Sequence, residues 1–213
     1  MDQGREWPLL VWAPGPGVRM VSSAVLGGGI GERAWVVNAQ VPPGYRRLDP
    51  VAHLRELASG AGLEGVGVGL MTAASVTDRR HAVDDGAQAV VTAGIGVRGW
   101  AAAPGAGHSG LRPPGTINII VSLPVPLTDA ALVNAVATAT EAKTQALVEL
   151  GADASGTPTD AVCVAAPSPT GGDAEAFAGP RSLWGARLAR AVHRATRAAC
   201  AGALATEGAG RVG

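Results

Sequence analysis

Short apolar runs punctuated by glycine and proline fill the first half of the chain, and two long helical patterns dominate the second. LLVWA (9–13) and VRMVSSAVL (18–26) flank a Pro-Gly-Pro-Gly turn, which predicts two strands joined by a tight connection. Gly27-Gly28-Gly29-Ile30-Gly31 follows, then a short strand, AWVVN (34–38). The segment DPVAHLRELASG (49–60) predicts a helix with Asp49 as N-cap, Pro50 in the first turn and Gly60 near the end. VGVGLMTAA (66–74), AVVTAGIGV (89–97), INIIVSL (117–123) and AVCVAA (161–166) predict buried strands. Residues 129–150 carry the clearest helical period, capped by Thr128 or Asp129 and stopped by Gly151. A last helix is predicted from Leu183 to about Ala205, with aperiodic loops over 99–114 and 167–181.

Strands outnumber helices, and the hairpin-like start argues against a purely parallel sheet. The expected fold class is α+β: a mixed or antiparallel β-sheet with helices packed on its faces. One domain is expected over 1–205, with a frayed tail over 206–213.

Composition narrows the function classes. Hydrophobic residues make up 47% of the 213 residues and charged ones 16%, which predicts an ordered core. Lys plus Arg equals Asp plus Glu, so no electrostatic case exists for nucleic acid or an anionic membrane as partner. The opening MDQGREWPLL lacks the apolar core of a signal peptide, and no run is long enough to span a bilayer, so the expected location is the cytoplasm. Cys163 and Cys200 read as buried reduced thiols. His53, His81, His108 and His193 show no metal-ligand spacing, so neither a metal nor a cofactor is expected. No Gly-x-Ser-x-Gly elbow is present.

Candidate chemistry lies where polar residues interrupt apolar runs between Gly115 and Pro167. Buried polar groups are costly unless paired, at about 1–3 kcal/mol each. Thr116 and Asn118 open the INIIV strand, and Gly156-Thr157-Pro158-Thr159-Asp160 opens AVCVAA. At 100° per residue, Leu132, Val136, Ala139, Ala146, Leu147 and Leu150 share one stripe of the 129–150 helix. Lys143 falls in the middle of that stripe, Thr140 at its edge and Glu141 on the opposite side. Lys143 therefore either snorkels or reaches into a cleft. Asn38 ends the AWVVN strand; like Asn118, it is a turn former or a side-chain amide donor toward a substrate carbonyl. The 27–31 glycines read as a turn where backbone approaches something closely. Four arginines of the last helix (187, 190, 194 and 197) read as a solvated face.

At these residues the chain resembles the adenosylcobinamide amidohydrolase family. The resemblance lies in VLGGGIGERAWVVN (25–38), GLMTAA (69–74), TAGIG (92–96), GTINIIV (115–121), TATEAKTQAL (138–147), GTPTDAVCVAAP (156–167) and AGPRSLWGARLARAV (178–192). Val97-Arg98 and the Ala/Gly/Pro-rich 99–114 stretch depart from the family pattern. The resemblance implies hydrolysis of adenosylcobinamide to adenosylcobyric acid and aminopropanol in corrinoid salvage. A small-molecule corrinoid is then the partner, gripped through its side-chain amides, with a homo-oligomer as a further option. On this reading Glu141 or Asp160 is the base, Lys143 and Asn118 stabilise the oxyanion, and Thr140 or Thr159 forms any acyl-enzyme. Asn38, Gly28, Gly29, Thr72, Thr116 and Thr157 are the expected substrate-binding residues. An amidase for another amide and a non-catalytic corrinoid binder are the alternatives.

Overall fold

The structure, a computed structural model, describes residues 7–104 and 115–209, with side chains through residue 204. The expected loop beyond residue 104, with His108, and the last four residues lie outside the described residues. The fold is α+β with two stacked sheets. The smaller has the order β1-β4-β5, from β1 (Leu9–Trp12), β4 (Trp35–Gln40) and β5 (Gly67–Thr72). The larger has the order β3-β2-β9-β8-β7-β6. Its strands are β2 (Val18–Ser22), β3 (Gly29–Glu32), β6 (Arg80–Asp84), β7 (Ala87–Gly94), β8 (Thr116–Ser122) and β9 (Ala161–Pro167).

Alternation along β4 explains the layering. Trp35, Val37 and Ala39 pack with Leu54 and Ala58 of α1 (Pro50–Gly60). Val36 points the other way, into a core shared with Val68, Leu70, Met20, Ile120 and Cys163 of both sheets. The outer face of the large sheet, with Ile117, Ile119, Val121, Val162 and Val164, packs on α2 (Asp129–Glu149) and α3 (Leu183–Ala209). The order is thus helix, sheet, sheet, helices. Both parallel pairs, β4–β5 and β8–β9, are joined through a helix, α1 or α2, as parallel strands require.

Three expectations change. β1 and β2 are not a hairpin: β1 pairs with β4, and β2 with β3 and β9, because the Pro-Gly-Pro-Gly turn carries the chain from one sheet to the other. The α3 arginine face is solvated as expected at Arg190, Arg194 and Arg197, but it is more than a solvated face: Arg190 and Arg194 hold Asp84, and Arg187 holds Asp85, clamping the β6–β7 hairpin. α3 also continues to Ala209, past its expected end.

The glycine-rich turn does meet backbone closely. A Cβ on Gly27 would lie 2.0 Å from the Gly67 carbonyl oxygen, and one on Gly67 would lie 1.9 Å from the Trp35 ring. Gly27 lets the β2–β3 connection lie directly over β5, where Leu26 bridges Gly69, and Gly67 makes room for the Trp35 ring of the neighbouring strand.

Candidate active site

The register gathers the polar residues at one end of the sheets. Thr92 on β7 stands opposite Asn118 on β8, with Gly94 opposite Thr116 two rungs further on, on the same face. β9 begins beside Asn118, at Ala161, so the preceding Thr159 and Asp160 lie at the same end. β8 turns Ile117 and Ile119 toward the helices, and therefore Thr116 and Asn118 toward the small sheet.

Asp160 is the hub on the helix side. Its Oδ2 accepts from Lys143 Nζ at 2.5 Å and from the Thr157 backbone N–H at 3.1 Å. Its Oδ1 accepts from the Ile117 N–H at 2.9 Å and from the Thr157 hydroxyl. One carboxylate thus ties α2, β8 and its own turn together. The Lys143 and Asp160 side chains are only 9% and 13% exposed. Lys143 therefore reaches a buried carboxylate rather than snorkelling. An ammonium carries three protons; among the described residues Lys143 spends one, on Asp160. Gly156 makes room for this pair, since a Cβ there would lie 2.4 Å from Asp160 Oδ2 and 2.5 Å from Lys143 Nζ. The turn is held from behind: Thr144 donates to the Ser155 carbonyl, and Gly99 and Gly156 pair as an isolated bridge.

The threonines differ in where their protons go. Thr159 donates to the Gly115 carbonyl at 2.9 Å, so Thr116 must donate to Thr159 across their 2.6 Å contact. Thr140 donates to Val136 O within its helix. Among the described threonines, only Thr157 donates to a carboxylate. A hydroxyl on a carboxylate is the arrangement of an activated nucleophile and its base.

A second network lies between the sheets. Asn118 Nδ2 donates to Asn38 Oδ1 and to the Met71 carbonyl, each at 2.9 Å, and Asn38 Nδ2 donates to Thr92 Oγ1 at 2.9 Å. The Met71 carbonyl accepts only, which fixes the amide orientation of Asn118. Both N–H protons of Asn118 are spent, so the expected oxyanion donor has no proton left to give. Its Oδ1 is buried and accepts no hydrogen bond among the described residues. Thr72, also buried, accepts from the Ala74 N–H.

Sequence reasoning placed three residues elsewhere than the structure does. Glu141 and Thr140 are exposed, so the 138–144 turn is not buried all round. A two-carboxylate site with Glu141 is withdrawn on that ground, leaving Asp160. Thr157, expected only to bind substrate, is the hydroxyl poised on the carboxylate. Gly28 lies in the β2–β3 connection, where its carbonyl and that of Gly27 take Arg33, and Gly29 pairs with Ser22. Thr92 and the Met71 carbonyl were missed. Thr92 had a signal, a lone hydroxyl in the apolar run AVVTAG, whereas a carbonyl leaves none.

Burial pushes the thiols of Cys163 and Cys200 up to about 12, so neither supplies a thiolate nucleophile at neutral pH. No three His, Cys, Asp or Glu side chains gather as a metal-binding group among the described residues. No described helix is long and apolar enough to cross a membrane.

Comparison with known proteins agrees with the resemblance. The family model described as adenosylcobinamide amidohydrolase matches residues 1–207. An adenosylcobinamide amidohydrolase of Methanosarcina mazei is 38% identical over 144 residues, covering 67% of each chain. A solved structure, the PH0078 protein of Pyrococcus horikoshii OT3, covers 91% of this chain and 72% of its own at 12% identity. Its TM-score of 0.38 makes it too distant a likeness to bear on function.

Proposed function

The chain belongs to the adenosylcobinamide amidohydrolase family, a family of enzymes acting on an amide, and from that premise we propose that it cleaves the aminopropanol amide of adenosylcobinamide in the cytoplasm. The products are adenosylcobyric acid and aminopropanol, a step of corrinoid salvage. The family match across residues 1–207 carries this reading. The Thr157–Asp160–Lys143 chain of hydrogen bonds supports its chemistry.

In the proposed mechanism the Thr157 oxygen attacks the amide carbon and Asp160 takes the hydroxyl proton. Lys143 directs its unspent N–H protons at the developing oxyanion while its pairing holds Asp160 in place. The C–N bond breaks as the leaving amine takes the proton, and an ester to Thr157 remains. Water then attacks the ester, with Asp160 again as base, releasing the acid and restoring the threonine.

Purified protein incubated with adenosylcobinamide should release aminopropanol, detected by mass spectrometry. Thr157→Ala should lower kcat at least about a hundredfold, while Thr157→Ser keeps a hydroxyl and measurable turnover. Full activity in Thr157→Ala would replace the threonine with a direct water attack. Binding without release by the wild-type protein would point to a corrinoid carrier, and neither binding nor release to another amide.

A further inference from the structure

Gly156 stands immediately before Thr157, and the structure leaves no room for a side chain there, because a Cβ would run into the Asp160 carboxylate and the Lys143 ammonium. Its bridge partner, Gly99, is a glycine too. Glycine has the greatest backbone freedom of any residue. The chain entering Thr157 therefore cannot hold its own course, and its position has to come from its neighbours.

Those neighbours lie on the segment 97–101, which runs beside the turn 153–157. Gly99 donates its N–H to the Gly156 carbonyl and accepts from the Ser155 N–H, each at 3.0 Å. The Ser155 hydroxyl accepts from the Ala101 N–H at 2.9 Å. Trp100 closes the ladder: its indole N–H donates to Asp153 Oδ1 at 2.7 Å, and a hydrogen bond to a carboxylate is stronger than a neutral one. The segment is itself anchored. Arg98 Nη1 donates to the Ile95 carbonyl at 2.8 Å, and the Val97 carbonyl packs on Gly115, where a Cβ would come within 2.3 Å of its oxygen. The segment is thus wedged between the start of β8 and the turn that enters Thr157.

We propose that Trp100 and Asp153 are positioning residues for Thr157, their bond fixing the Gly99–Gly156 bridge and so aiming the threonine hydroxyl at Asp160 and at the substrate carbonyl. The inference rests on the reading of Thr157 as nucleophile and adds what holds it in line. Among the described residues neither side chain hydrogen-bonds to Thr157, Asp160 or Lys143, so both act through the backbone between Asp153 and Thr157. Attack on an amide carbon needs a narrow approach, and a displacement of about 1 Å costs on the order of a hundredfold in rate. The Trp100–Asp153 bond is exposed, so it adds little to overall stability. Its loss should therefore appear in kcat rather than in folding.

The test compares full-length wild type, Trp100→Phe, Asp153→Ala, Asp153→Asn and the Trp100→Phe/Asp153→Ala double variant on adenosylcobinamide, with melting temperatures measured alongside. Trp100→Phe and Asp153→Ala should each lower kcat at least about tenfold, with KM within about twofold and the melting temperature within about 2 °C. The double variant should lose no more than the slower single variant, because both changes remove the same bond. Asp153→Asn keeps an oxygen for the indole N–H and should hold kcat within about threefold of wild type. Single variants with wild-type kcat, losses that multiply in the double variant, or an Asp153→Asn protein as slow as Asp153→Ala would overturn the inference and leave Thr157 in place. If the wild-type protein releases no aminopropanol, or Thr157→Ala stays fully active, the nucleophile reading fails and the positioning role falls with it.

Discussion

Asn118 of β8 donates to Asn38 of β4 across the gap between the two sheets, at 2.9 Å, and both side chains are 1% exposed. The bond is a polar rivet in an otherwise apolar layer. Asn118→Ala would orphan two acceptors, the buried Asn38 Oδ1 and the partly buried Met71 carbonyl. At about 1–3 kcal/mol for each unsatisfied group, the expected loss is about 2–6 kcal/mol of unfolding free energy, measured by urea titration. The protein that remains folded should keep kcat within a few-fold, since Asn118 has no free proton to stabilise an oxyanion. A hundredfold fall in kcat with normal stability would restore the donor role.

Lys143 and Asp160 should behave as a buried pair. Lys143→Met leaves the Asp160 carboxylate without its cation and should cost about 3 kcal/mol, the low end for a broken buried pair because three other donors remain. Adding Asp160→Asn removes the stranded charge and should recover part of the loss. Both single variants should be inactive. A Lys143→Met protein as stable as wild type would show that the pair does not hold the turn.

Glu141→Gln and Thr140→Ala should be silent. Both residues are exposed, and Thr140 spends its proton inside its own helix. Stability should stay within about 0.5 kcal/mol and turnover within about twofold. A pH profile altered by Glu141→Gln would return that carboxylate to the site.

The hairpin clamp should be acid-sensitive. The Arg190 guanidinium, with Arg194 behind it, holds the Asp84 carboxyl below its ordinary value. A carboxyl depressed in the folded state stabilises at pH values above its unfolded pKa of about 3.9, and that contribution is lost as pH falls through the folded value. Asp84→Asn should therefore melt lower than wild type at pH 7, and the gap should close below about pH 4. A gap independent of pH would assign the effect to packing.

Helix α2 was legible because its 3.6-residue period is regular, and a lysine inside that stripe stands out at once. The stacking of two sheets was not legible. β4 is buried on both faces, so its sequence shows no alternation to say that one face meets a helix and the other a sheet. β6 was missed for a different reason: it is a half-exposed edge strand whose polar sequence RHAVD lacks an apolar rhythm. Its turn did carry a signal, since Asp85 and Gly86 have positive φ angles, 46° and 94°, as an Asp-Gly hairpin demands. In the site, Lys143, Thr159 and Asp160 stood out as polar residues among apolar ones. The hydroxyl that donates to Asp160 could not be chosen among the threonines, because where each proton goes depends on groups brought close only by the fold.

The β8–α2–β9 unit holds Thr116, Lys143, Thr157, Thr159 and Asp160 in one unbroken stretch of chain. The Lys143–Asp160 contact closes 17 residues of chain, whereas the Asn38–Asn118 rivet closes 80. By the logarithmic cost of loop closure, the shorter contact forfeits about 1.4 kcal/mol less chain entropy. The proposed chemical centre is thus a local product of one crossover, able to assemble during folding before the small sheet docks against it.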